Sequence, residues 1–221
     1  MKQNFFFKSL LIGVLFFGIF QSSAQDPNRF KEQVEQLSNK EYSFKPDKEL
    51  VVFTGSSSVR MWKDVQSYFP KYNIINNGFG GSQFSDLIYF YDELILKLGP
   101  DILFIYEGDN DISEGKKPVT ILKQSKSLVK RIQNDLPQTK IVLISPKPSI
   151  RRESLKKEYI KLNKKLEKYC KRKDNLEFAD VWSIMLDENG NVYQDIFIED
   201  GLHMNKKGYD LWAEVIGEFL K

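Results

Sequence analysis

One histidine, His203, occurs in this 221-residue chain, and it stands three residues after a carboxylate in Asp200-Gly201-Leu202-His203. Imidazole exchanges a proton readily near neutral pH, so histidine-based general-base chemistry in this protein must run through His203. A nucleophile for that base is offered nearly the full chain away. There the apolar run Val51-Val52-Phe53 passes through Thr54 into Gly55-Ser56-Ser57-Ser58. A serine hydroxyl is a poor nucleophile until a base takes its proton, so the two segments are chemically complementary. Two further segments have the composition of a working loop: Asn77-Gly78-Phe79-Gly80-Gly81 and Gly108-Asp109-Asn110-Asp111.

The elements between these segments explain how distant residues could meet. Residues 49–54, 73–77, 102–107, 140–145 and 176–179 read as strands, and the first, third and fourth are nearly all apolar, as strands buried on both faces should be. Helices are expected over 58–68, 82–98, 118–136, 152–172 and from Lys206 to the end, with an N-terminal one over 29–37. Pro118 suits a first helical turn, and Pro137 stops the same helix. Strand and helix in regular alternation imply an α/β protein, a three-layer α/β/α sandwich around a parallel sheet of about five strands. In such sheets the loops after the C-terminal strand ends carry the chemistry. Ser57, Gly81 and Asn110 follow the first three strands, and Asp200 and His203 precede the last helix.

The order Gly-x-Ser, Asn-x-Gly-x-Gly-Gly, Gly-x-Asn-Asp and Asp-x-Leu-His resembles the SGNH hydrolases, also called GDSL esterases, over residues 49–212. The resemblance implies a flavodoxin-like strand order and an ester hydrolase that needs no cofactor. It makes Ser57 the nucleophile, His203 the general base and Asp200 the carboxylate that orients it. The oxyanion hole would be the backbone N–H of Ser57, the backbone N–H of Gly81 and the side-chain amide of Asn110. A neutral amide suits this role, because it stabilises an oxyanion without trapping a carboxylate product. The chain departs from the family at Ser56, which replaces the usual acid, and this makes Ser56 and Ser58 competing nucleophiles. Ser57 is favoured because it keeps the spacing from Gly55.

Other features bound the biology. Lys2, the apolar run Leu10 to Phe20 and Ser22-Ser23-Ala24 have the pattern of a cleaved secretory signal over residues 1–24, followed by one hydrolase domain over 25–221. The expectation is a secreted or periplasmic protein with no stable membrane insertion after cleavage. Two of the 33 basic residues, Lys2 and Lys8, lie in that segment; 31 remain against 30 acids, a net +1. Nothing in that balance recommends nucleic acid as a partner. Cys170 is the only cysteine, which excludes an internal disulfide.

Each signal also has a plainer reading. The serines could only start a helix, and the Gly78–Gly81 segment could be a simple tight turn. Glu107, Asp109 and Asp111 could form a solvated acidic turn; a metal site there lacks nitrogen ligands. Trp62 reads as a core aromatic, and Lys147 and Arg151 as candidates for substrate contact. A non-catalytic phosphate-binding flavodoxin-like module is the alternative of a different class. Within the hydrolase reading, the expected substrate is a small-molecule or carbohydrate ester with a short acyl group, acetyl first. Lysophospholipase, thioesterase and acyltransferase activities are the alternatives on the same fold.

Overall fold

Period-two alternation along the apolar runs sorts the side chains into two cores, one on each side of a single sheet. The computed structural model describes residues 26–220, so the secretory-signal segment falls outside the described residues. The strands are β1 (Leu50–Gly55), β2 (Asn73–Gly78), β3 (Ile102–Tyr106), β4 (Lys140–Ile144) and β5 (Leu176–Ala179). They run in the order β2-β1-β3-β4-β5 with every neighbouring pair parallel, which is the flavodoxin-like order. Val51, Phe53, Phe104, Tyr106, Val142 and Ile144 enter one core, whereas Val52, Leu103, Ile105, Ile141 and Leu143 enter the other. The expected five-stranded α/β/α sandwich is the observed one.

The helices in chain order are α1 (Lys31–Ser38), α2 (Ser57–Arg60), α3 (Val65–Tyr68), α4 (Phe84–Tyr89), α5 (Tyr91–Leu94), α6 (Asp109–Ser113), α7 (Pro118–Asp135), α8 (Lys156–Cys170) and α9 (Lys206–Gly217). α2, α3 and α9 supply the first core, and α1, α4, α5, α7 and α8 the second. Two expectations fail in detail. The helix expected over 58–68 is two short ones, because Asn76 Nδ2 donates to the carbonyls of Val59 (2.7 Å) and Trp62 (3.0 Å). The helix expected over 82–98 breaks near Phe90, where two consecutive aromatics, Phe90 and Tyr91, both turn into the core. Trp62 is a core residue as expected, packed against Phe53, Tyr209 and Trp212. Among the described residues no helix is long and apolar enough to cross a membrane.

Strand register aligns the working loops. Gly55 lies level with Gly78 on β2 and with Tyr106 on β3, so the segments that follow leave the sheet side by side. Gly55 is required there for two reasons. Its φ of +124° is in the region that side chains disfavour, and a Cβ would stand 2.0 Å from the carbonyl oxygen of Tyr106. Gly55→Ala is therefore expected to lower the unfolding free energy by more than about 2 kcal/mol. Urea unfolding measures this, and an effect below about 0.5 kcal/mol would contradict the strained-turn account.

Candidate active site

Beyond Gly55 the chain turns sharply into α2, and the three serines separate by environment. Ser56 and Ser58 are buried, and the Ser56 hydroxyl has no hydrogen-bond partner. Ser58 gives its carbonyl oxygen to the Tyr209 hydroxyl at 3.0 Å. Ser57 is only part-buried and opens the helix. Its Oγ lies 2.9 Å from His203 Nε2, across 146 residues of sequence. Of the three, geometry pairs only Ser57 with the imidazole.

On the other side of the ring, His203 Nδ1 lies 2.5 Å from Asp200 Oδ2. The other oxygen of Asp200 accepts the backbone N–H groups of Leu202 and His203, each at 2.9 Å. Gly201 permits this tight turn with a φ of +61°. Ile198 N–H donates to the His203 carbonyl at 2.9 Å, which closes the loop on itself. Partial burial opposes the ionised form of Asp200, but the ring and the two backbone donors prevail and hold its carboxyl down to about 2. An anionic Asp200 fixes the proton on Nδ1 and leaves Nε2 free to accept from Ser57.

The groups expected to form an oxyanion hole are equally ordered. The N–H groups of Ser57 and Gly81 have no acceptor among the described residues, and Gly81 (φ +84°) faces open space. Asn110 Nδ2 donates to the Ser82 carbonyl at 2.9 Å, and its Oδ1 accepts from Arg152 Nη2 at 3.1 Å. Those two contacts fix which way the amide points. The second N–H of Nδ2 is left for a ligand.

Arg152 also holds Asp109, at 2.5 Å between Nη1 and Oδ1. The plainer reading of a solvated acidic turn is excluded here, because Glu107, Asp109 and Asp111 are all buried. Asp109 further accepts the hydroxyls of Tyr159 (2.5 Å) and Tyr106 (2.9 Å), and its Oδ2 lies 4.0 Å from Lys147 Nζ. Lys147 is likewise not a substrate contact. It is 1% exposed, and its ammonium donates to the Leu202 carbonyl at 2.6 Å, one residue before His203. Arg151 is exposed, and its backbone N–H donates to the Gly201 carbonyl at 3.0 Å. Sequence reasoning missed this network of Tyr106, Asp109, Lys147, Arg152 and Tyr159. The available signal was a lysine placed between two prolines shortly after a nearly all-apolar strand.

The network has a measurable consequence. Burial works against an ionised Asp109, but Lys147, Arg152 and the Tyr159 hydroxyl together hold its carboxyl below the ordinary carboxylate range. A folded value below the unfolded value of about 3.9 stabilises the fold above that pH, and the contribution is lost as pH falls through the folded value. Asp109→Asn is expected to cost about 3–5 kcal/mol at neutral pH, because it strands buried cations. Urea titrations should show that deficit shrinking below about pH 4. A deficit constant with pH would mean that the charge of Asp109 is irrelevant.

Comparison with known proteins gives the family and the fold. The sequence profile of the GDSL-like lipase/acylhydrolase family matches residues 50–211. A candidate platelet activating factor from Streptococcus pneumonia superposes with a TM-score of 0.75 at 20% identity, over 88% of this chain and 92% of that one. A GDSL-like lipase from Bacteroides thetaiotaomicron gives 0.71 at 20% identity, over 88% and 97%. An acetylxylan esterase from Geobacillus stearothermophilus gives 0.65 at 15% identity, over 77% and 93%. No curated protein matches in sequence. With its profile match spanning more than two thirds of its length, this chain belongs to the GDSL-like lipase/acylhydrolase family and is a carboxylic ester hydrolase.

Proposed function

We propose that the protein is a secreted serine esterase that removes short acyl groups, acetyl first, from carbohydrate esters. The observation that carries the reading is the unbroken chain from Ser57 Oγ through the His203 ring to Asp200, with contacts of 2.9 and 2.5 Å. In this reading Ser57 attacks the ester carbonyl as Nε2 of His203 takes its proton, and Asp200 stabilises the imidazolium that forms. The carbonyl oxygen gathers negative charge against the N–H groups of Ser57 and Gly81 and the amide of Asn110. Each such donor typically lowers the barrier by about 3 kcal/mol. His203 then protonates the departing alcohol, and water repeats the sequence to release the acid. No step calls on a cofactor.

Three observations favour a short acyl group on a polyol. The blocks are separated by little more than the elements between them, so among the described residues no inserted segment is left to cover the Ser57 edge. Binding a long chain depends on burying methylenes at roughly 0.8 kcal/mol each, which needs an apolar trough. A cleft of about 270 Å³ instead combines Ile150 and Val192 with Glu153, Asn191 and Gln194. Its Ile150 stands against Gly201, between the proposed acid and base, and an apolar wall with amide and carboxylate partners suits a sugar ring. Third, in the acetylxylan esterase the catalytic mutants replace a serine, an aspartate and a histidine, the last two three positions apart. Asp200 and His203 have that spacing. Secretion is supported by the composition of residues 1–24.

Ser57→Ala and His203→Ala are each expected to lower kcat about 10⁴-fold or more. Ser56→Ala and Ser58→Ala should stay within about tenfold of the parent. An organophosphate adduct mapped by mass spectrometry to Ser56 or Ser58 would sink the assignment.

Substrate class is tested with aryl esters from acetyl to palmitoyl beside acetylated oligosaccharides. We expect kcat/KM to be greatest from acetyl to butyryl and to decline with longer chains. A maximum at about ten carbons or beyond would transfer the protein to the lysophospholipase or thioesterase reading.

A further inference from the structure

Glu107 is the first residue after β3 and has no part in the mechanism above, yet it is 1% exposed and lies directly behind the proposed oxyanion hole. Its Oε1 shares a 2.6 Å hydrogen bond with the Ser82 hydroxyl. Its Oε2 is closed off from solvent and has no partner. Ser82 is thus gripped from two sides, its hydroxyl by Glu107 and its carbonyl by Asn110 Nδ2 at 2.9 Å. The residue before it is Gly81, whose N–H has no acceptor among the described residues.

Charge counting around Glu107 settles its state. The charged groups that face it are Asp111 on α6, Asp86 on α4 and Lys116 after α6. Lys116 pairs with Asp111 at 2.8 Å, and Arg29 pairs with Asp86 at 3.2 Å. Two cations therefore meet three carboxyls, all of them buried, and Glu107 is the one without an ion pair among the described residues. An unpaired buried charge is far costlier than a protonated carboxyl that keeps one hydrogen bond. Burial, reinforced by Asp111, raises the Glu107 carboxyl well above the ordinary carboxylate range.

We propose that Glu107 is a positioning residue that acts as a neutral carboxylic acid, holding Ser82 so that the Gly81 N–H and the Asn110 amide stay aimed at the oxyanion. This inference rests on the esterase reading, since it supposes that a negative charge develops at Gly81 and Asn110. An ionised Glu107 would place a second negative charge behind the developing one, in a region of low dielectric. The enzyme should accordingly lose kcat at alkaline pH as Glu107 gives up its proton. Glutamine has the same size and hydrogen-bonding reach but no ionisation.

The test compares pH profiles of kcat for aryl acetate hydrolysis by the parent enzyme, Glu107→Gln, Glu107→Ala and Ser57→Ala. Glu107→Gln should keep neutral-pH kcat within about twofold and abolish the alkaline decline, whereas Glu107→Ala should lose about tenfold in kcat with little change in KM. An alkaline decline that persists in Glu107→Gln would overturn the proposal. So would a loss in Glu107→Gln as large as that in Glu107→Ala. An activity-independent measurement is the infrared spectrum at neutral pH: the parent should show a protonated-carboxyl carbonyl band that Glu107→Gln lacks, and its absence would refute the neutral acid. Full activity in Ser57→Ala would defeat the esterase mechanism itself, an outcome distinct from failure of the Glu107 proposal alone.

Discussion

The buried carboxylate of Asp109 is the constraint on which the rest of the site depends. It accepts Arg152, Tyr159 and Tyr106 and faces Lys147 at 4.0 Å. Arg152 also sets the Asn110 amide, while Lys147 holds the loop of Asp200 and His203 through the Leu202 carbonyl. One carboxylate thereby ties the Asn110 side of the site to the Asp200–His203 side. Two cations and two phenolic donors around a single buried anion make a network in which losing any member strands the others, so the arrangement is specific and costly to break.

Around that centre the polar groups follow two different electrostatic solutions. Asp109 and Asp200 are surrounded by donors, so each is stabilised as an anion. Glu107 has one hydrogen bond and no ion pair, so burial drives it the other way. The difference arises from partners and not from residue type, since all three are carboxyls within the same sheet edge. An ester hydrolase gains from this division. In the proposed mechanism, negative charge is concentrated where it would steady an imidazolium and is withheld from the side where an oxyanion would form.

The framework serves these contacts through register. Because Gly55, Gly78 and Tyr106 are level across three parallel strands, their loops diverge from one line. The two apolar cores that clamp the sheet leave little freedom for that line to shift, since a slip of one residue would exchange the two faces of every strand.

Much of this was legible in the chain itself. Apolar runs alternating with amphipathic stretches gave five parallel strands and a three-layer fold, because burial on both faces demands such runs. The spacing of Gly55 to Ser57 and of Asp200 to His203 is local, so the turn at each end could be read from sequence. The spacing from Gly55 favoured Ser57, but only the tertiary structure brought it to the imidazole, because Ser57 and His203 are 146 positions apart and meet through packing and not through pattern. The tertiary structure also decided that Lys147, Glu107 and Asp109 are interior groups and that Arg152 is part-buried against them. Charged residues read as solvated by default, and only the arrangement of partners from distant loops makes their burial affordable. The breaks near Trp62 and Phe90 were hidden for the same reason: helical periodicity is a local signal, and the side chains that interrupt it are held by contacts beyond the helix.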